Sequence, residues 1–238
     1  MITRPAAAAD AFAQILNERL GLRFDIHKSP ILTISYLPFT GEIDLYSTVI
    51  FTSIHAVKAL AEATERRDLI CYAVGGSTSA FARSLGFDVR EGNGTAEALT
   101  TQILQDRPRT PCLYLRGEHI AQDITNKLNS AGIETDESII YKQTETPLQS
   151  GALALLSSGR TIILPLFSAR SAQLFFRSYS VTGPLDVIAL SENIAAEVPG
   201  NRARKLRICK RATGEAMVSE IVNLLNDTNQ LEGRHSPK

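Results

Sequence analysis

The chain has 238 residues, 44% of them hydrophobic and 21% charged, with 25 basic residues set against 25 acidic ones. That describes one large or two small globular domains with buried cores, and a net charge of zero argues against nucleic-acid binding, which requires a basic excess. No apolar run approaches the length of a membrane span and the N-terminus lacks the basic-then-apolar order of a signal peptide, so the expectation is a cytoplasmic protein with no membrane contact.

In chain order, Met1 to Pro5 reads as the end of a short strand and a turn, Ala6 to Leu20 as a strong helix closed by Gly21, and Arg23 to His27 as a second strand. Pro30 to Pro38 is extended, Pro-bounded and rich in Ile and Tyr, which suits a linker strand and marks a domain boundary. From Asp44 strands and helices alternate. Strands are predicted at 48–52, 70–74, 88–90, 111–115 and 134–140, and helices at 54–63, 77–85, 95–105 and 119–130, with Gly86 and Gly132 as C-caps. Tyr141 to Thr146 is a second extended, polar stretch. After Pro147 come helix 148–156, strand 161–165, helix 169–179, strand 186–190, helix 191–197, strand 206–209 and helix 213–225, with a polar, frayed tail from Asn226. Alternation of this kind predicts parallel sheets flanked by helices.

Cys71, Cys112 and Cys209 lie far apart, each at or beside a predicted strand, and read as buried free thiols; no Cys or His grouping has metal-ligand spacing. Six basic residues between Arg202 and Arg211 flank Leu206 and Ile208, a pattern that suits a solvated strand edge.

Several marks recur at one slowly drifting period: Arg4 with Arg116, Ser53 with Ser168, Gly75 with Ser191, and Thr95 with Thr213. Two copies of one α/β unit, facing each other across a cleft, is the reading. Each mark lies where a strand hands over to a helix, the edge at which open α/β sheets bind ligands. Ser53, Ser77, Thr78, Ser168, Ser191 and Asn193 place hydroxyls and an amide beside helix N-termini there, a setting for carboxylates or phosphates, although each residue also serves as an ordinary cap. Gly75-Gly76 completes neither nucleotide-binding pattern, so no nucleotide cofactor is implied. His55, His119 and Arg116 sit just after strands; Arg116, with its carboxylate-matching fork, has a better claim to a role than either histidine.

Thr3-Arg-Pro5, Phe51-Thr-Ser53, Val74-Gly-Gly-Ser-Thr78, Leu115-Arg-Gly117, Tyr141 after an apolar strand, Phe167-Ser168 and Leu190-Ser-Glu192, in this order and spacing, resemble uroporphyrinogen-III synthase over nearly the whole chain. The resemblance implies two similar flavodoxin-like domains, each a parallel sheet flanked by helices, joined by a two-stranded linker. Residues 1–33 and 147–238 would form the discontinuous domain, 40–139 the inserted one, and 34–39 and 140–146 the linker strands. It implies a monomeric, cofactor-free, metal-free enzyme. Such an enzyme cyclises hydroxymethylbilane, a linear tetrapyrrole with eight carboxylates, with loss of water and inversion of ring D through a spiro intermediate.

Tyr141 matches the family's active-site tyrosine. Thr3, Arg4, Thr52, Ser53, Gly75, Ser77, Thr78, Arg116, Gly117, Ser168, Ser191 and Asn193 form the implied substrate-binding set. The sequence after Ser191 reads Glu-Asn-Ile, without the Thr found there in some members. The partner is the small-molecule substrate, with neither nucleic acid nor membrane, and the reading leaves room for transient contact with the preceding pathway enzyme. A non-enzymatic two-domain α/β module binding a small acidic ligand is the alternative.

Overall fold

The computed structural model describes residues 1–21, 24–119 and 122–233. The chain divides into two compact units, one formed by Met1–Thr33 with Glu145–Lys238 and the other by Ile34–Thr144.

The second unit is built on strands β2 (Thr48–Phe51), β3 (Ile70–Ala73), β4 (Asp88–Glu91), β5 (Cys112–Gly117) and β6 (Thr135–Glu145), with β1 (Leu32–Tyr36) at one edge; the order is β1-β6-β5-β2-β3-β4. Pairings from β6 through β4 are parallel. All four residues of β2 are buried, as a central parallel strand covered on both faces requires. Alternation along the strands sends Val49, Phe51, Cys71, Leu113 and Leu115 to the side of α2 (Ile54–Ala63) and α3 (Gly76–Ser84). Ile50, Tyr72, Cys112 and Tyr114 go to the side of α4 (Ala96–Asp106) and α5 (Ile124–Ser130). From β2 the chain winds outward through β3 and β4, then returns to the other side of β2 for β5 and β6. The order thus reverses between β2 and β5, whose carboxyl ends are where sheets of this kind bind ligands.

In the first unit, β7 (Ile162–Leu166), β8 (Leu185–Ala189) and β9 (Lys205–Ile208) form a parallel sheet in that order. Leu164, Leu166, Val187 and Ala189 pack with α6 (Ser150–Ser157), α7 (Ala169–Ser178) and α8 (Glu192–Ala195). On the other face Ile188 meets α1 (Ala6–Leu20) and α9 (Gly214–Gly233). The buried residues of α1, Ala9, Phe12, Ala13 and Leu16, follow the one-face helical spacing, and Gly21 ends the helix at φ 66°. Asp186, 1% exposed, is neutralised by a two-pronged bond from Arg204, whose Nε and Nη2 lie 2.8 and 2.5 Å from its oxygens.

Most predicted elements form within a residue or two of their expected limits, and Gly86 and Gly132 take the left-handed conformation at helix ends, with φ of 89° and 77°. Five expectations are corrected. The opening strand contributes a single bridge, Ile2 to Lys28, and its partner lies later than 23–27: Ile2 N–H bonds the His27 carbonyl, and the Ser29 and Ile31 N–H groups bond Ile2 and Thr3. Pro30 falls between the two donors, where its missing N–H costs this ladder no bond; Arg23 of the expected strand lies outside the described residues. The helix expected from 119 starts at Ile124, because Asp123 caps it by accepting from Asn126 N–H, which leaves His119 outside the helix. Residues 120 and 121 of that prediction are likewise outside the description. Strand 134–140 and the extended stretch after it are one strand, β6. The helix expected over 191–197 is the four-residue α8. The tail expected to fray from Asn226 continues α9 to Gly233, and its last five residues lie outside the described part. The basic run does fall on the sheet edge at β9, where Arg207 pairs with Glu220 and Asp227, and all three cysteines are buried and free.

Candidate active site

Ser53 follows β2 with extended backbone and caps α2, its side chain accepting from His55 N–H at 3.2 Å. Opposite it stands the end of β5. The β5–β6 register runs Arg116 to Ile139 and then Gly117 to Tyr141, so a bulge on β6 skips Ile140 and sets Tyr141 against Gly117. A Cβ on Gly117 would stand 2.6 Å from Tyr141 Cζ and 2.9 Å from its hydroxyl, so the ring lies directly on bare backbone.

The Tyr141 side chain is 7% exposed. Burial pushes its hydroxyl above the ordinary value of 10.0, and hydrogen bonds with the Ser53 side chain and the Gly117 backbone offset part of the rise. The phenol is therefore protonated at neutral pH and ready to donate.

Two further tyrosines and a histidine gather at this edge. The His55 ring lies 5.5 Å from that of Tyr141, and its Nδ1 is 3.1 Å from the hydroxyl of Tyr36, whose ring is 6.1 Å away. Tyr114 shares a 3.1 Å hydrogen bond with Thr52, and burial raises its hydroxyl too. Gly75 caps α3 in extended conformation, its Cα position facing Gly94 so closely that a Cβ would meet Gly94 Cα at 3.1 Å. Ser77 is exposed in the first turn of α3, while Thr78 behind it is buried.

Arg116 differs from the expectation. It lies within β5, and its guanidinium bonds Glu137 at 2.5 Å and the carbonyls of Gly117 and Glu118 at 3.0 and 3.4 Å. Thr125 donates to the same carboxylate, and the Arg116 bond holds Glu137 below the usual carboxylate range. Much of its fork is thus already engaged within the unit.

In the first unit, Thr3 is buried, with its carbonyl accepting from Ile31 N–H. Arg4 lays its guanidinium 3.9 Å above the Phe167 ring, which stands edge-on to Phe12 at 4.9 Å. Burial holds the Arg4 guanidinium below its ordinary value, the sign of a charge short of solvent. Ser168 caps α7, accepting from Ser171 N–H at 3.1 Å and bonding the Ser171 hydroxyl at 2.8 Å. Ser191 caps α8 by position and makes no side-chain cap bond among the described residues, and Asn193 is exposed on that short helix.

The predicted residues therefore form two groups. Thr52, Ser53, Gly75, Ser77, Thr78, Arg116, Gly117 and Tyr141 belong to one unit, and Thr3, Arg4, Ser168, Ser191 and Asn193 to the other. Sequence reading missed Tyr36, Tyr114 and Glu137. Their partners lie 19, 62 and 21 residues away along the chain, beyond any local pattern. The only available signal was the Tyr content of the stretch before Pro38.

The family model described as uroporphyrinogen-III synthase HemD matches residues 11–219. Among solved structures, uroporphyrinogen-III synthetase from Helicobacter pylori is similar with a TM-score of 0.65 at 18% identity, over 87% of this chain and 96% of that one. A mutant uroporphyrinogen III synthase from the extremely thermophilic bacterium Thermus thermophilus is similar with a TM-score of 0.58 at 16% identity, over 95% and 98% of the two chains. At such identities the two structures speak for the fold. No curated protein sequence matches.

Proposed function

The chain belongs to the uroporphyrinogen-III synthase family, and from that premise we propose that it cyclises hydroxymethylbilane to uroporphyrinogen III as a cofactor-independent hydro-lyase. The observation that carries the reading is the Tyr141 phenol, protonated, bonded to Ser53 and seated at the carboxyl edge of a parallel sheet. In this reading Tyr141 donates its proton to the departing hydroxyl of the substrate, which leaves as water, and recovers a proton when the cyclised product loses one. The carbon left electron-poor is attacked by the substituted position of ring D, giving the spiro intermediate whose reopening inverts that ring. The remaining task is orientation, because the unguided chain closes without inversion.

Backbone N–H groups at the starts of α2, α3 and α7, together with Thr52, Ser53, Ser77, Thr78 and Ser168, suit the substrate's carboxylates. Arg4 suits them as well, since its charge rests on an aromatic face; Arg116 serves chiefly to fix the end of β5. Residues 1–33 with 147–238 and residues 40–139 are assigned as the two domains, with 34–39 and 140–146 as the linking strands. The protein is assigned to the cytoplasm as a monomer that meets its substrate, and transiently the enzyme that makes it, without nucleic acid or membrane; no helix among the described residues is long and apolar enough to cross a membrane.

The test supplies freshly generated hydroxymethylbilane with and without the purified protein, then separates the oxidised uroporphyrin isomers. Protein-dependent isomer III is expected. Isomer I alone from folded protein would refute the assignment and leave a binding module for an acidic ligand as the better account.

A further inference from the structure

Three observations converge on the Tyr141 ring. Gly117 gives it a surface on which even one added carbon would come within 2.6 Å. The β6 bulge fixes the backbone that carries it, and Glu118 N–H bonds the Tyr141 carbonyl at 3.1 Å. The His55 ring packs 5.5 Å from it, and His55 is held from two ends: its N–H bonds Ser53 Oγ, and its Nδ1 meets the Tyr36 hydroxyl. Tyr36 is 37% exposed, so the outer end of this chain of rings reaches solvent while the inner end does not.

We propose that Gly117 and the hydrogen-bonded pair Tyr36–His55 are positioning residues that hold the Tyr141 phenol against Ser53, on the reading given above that Tyr141 is the proton donor. None of the three touches the reacting atoms in this scheme. Gly117 acts by having no side chain. A methyl there pushes the ring off its seat, and the hydroxyl loses the Ser53 contact on which its aim depends. His55 acts as a wall whose rotation is restrained by the Tyr36 bond at its Nδ1, whichever of the two groups donates. Removing the Tyr36 hydroxyl takes away one hold on that ring without disturbing Tyr141 directly, so its effect is smaller than that of changing Gly117.

The experiment has two arms. In the first, tyrosine carrying ¹³C at Cζ is incorporated, and the Tyr141 signal, assigned by its loss in Tyr141→Phe, is followed through alkaline titration. In the parent protein it titrates above the ordinary tyrosine value of about 10. In Gly117→Ala, where the hydroxyl loses the Ser53 bond that offsets part of the rise, it is expected to move further up, and in His55→Ala to move in the same direction by less. In the second arm, isomer III formation is measured for Gly117→Ala, Tyr36→Phe and His55→Ala, each alone and combined with Tyr141→Phe. Gly117→Ala is expected to lower kcat about tenfold or more with little change in KM, and Tyr36→Phe to lower it about two- to threefold. Both losses should shrink to near nothing when Tyr141 is already Phe, since a residue that acts through another adds nothing once that other is gone.

An unmoved Tyr141 signal in folded Gly117→Ala, or kcat losses that multiply in full in the Tyr141→Phe background, would overturn the proposal. A protein that makes no isomer III fails the functional reading alone, because the titration arm still decides whether these residues seat the ring. Should Gly117→Ala fail to fold, Tyr36→Phe and His55→Ala carry the same test.

Discussion

Tyr141 illustrates how one side chain acquires a role from what surrounds it. A phenol free in water is already protonated at neutral pH, so burial does not change its charge there; it removes competing water and leaves Ser53 as a fixed partner. Tyr141→Phe keeps the ring and removes the donor. The expected result is a fall in kcat of about 10²-fold, at the low end of what a positioned general acid contributes, with KM changed less than about twofold. Steady-state kinetics of isomer III formation checks this, and a raised KM with kcat unchanged would mean that the hydroxyl binds substrate without assisting its departure. Arg116 shows the converse. Its spacing after an apolar run marks it as a carboxylate receptor, yet the nearest carboxylate is its own Glu137, 2.5 Å away, and the charge is matched before any substrate arrives. The residue type was legible; its partner, 21 residues on, was not.

The strand–serine–helix element recurs, and its copies are unequal. Ser53 and Ser168 cap ten-residue helices through hydroxyl bonds to backbone N–H. Ser191 heads a four-residue helix and makes no such bond among the described residues. Ser168→Ala is therefore expected to destabilise the protein by about 1 kcal/mol, and Ser191→Ala by less than about 0.5 kcal/mol. Urea unfolding followed by circular dichroism distinguishes them, and equal losses would show that the cap bond at Ser168 contributes nothing net. The same serine types at matching positions were readable as caps from their place before an apolar helix. That the third helix stops after one turn follows from the Ala196–Pro199 turns, where Val198 N–H bonds the Ala195 carbonyl.

Across the molecule, the tyrosines are unevenly shared. Five of the six, Tyr36, Tyr46, Tyr72, Tyr114 and Tyr141, lie in the unit 34–144, and each has its hydroxyl raised, first by burial; Tyr46 and Tyr72 are each pushed up to about 12. A raised folded value means that the native state holds the proton more tightly than the unfolded chain does. The stabilisation is then complete below about pH 10, where the unfolded tyrosine titrates, and is lost as pH rises through the folded values toward 12. Among the described residues of the other unit, the contribution lost in this range is the smaller one of Cys209, whose thiol burial raises to about 11. Pulse proteolysis across roughly pH 9 to 12 is expected to cut first within 34–144; first cuts in the other unit would contradict this.

The period of the apolar residues and the glycines and serines that punctuate it were enough to place nearly every strand and helix, because those signals act over a few residues, the range in which backbone hydrogen bonding and side-chain direction are decided. The motif order was likewise enough to point to the family. Neither could supply the bulge that turns Tyr141 onto Gly117, the capture of Arg116 by Glu137, the histidine held by Tyr36, or the shift of the first ladder to residues 27–31. Each of these depends on which strand lies beside which and in what register. Register is a property of paired strands, chosen by the summed packing of whole faces against helices, and no single stretch of the chain carries it.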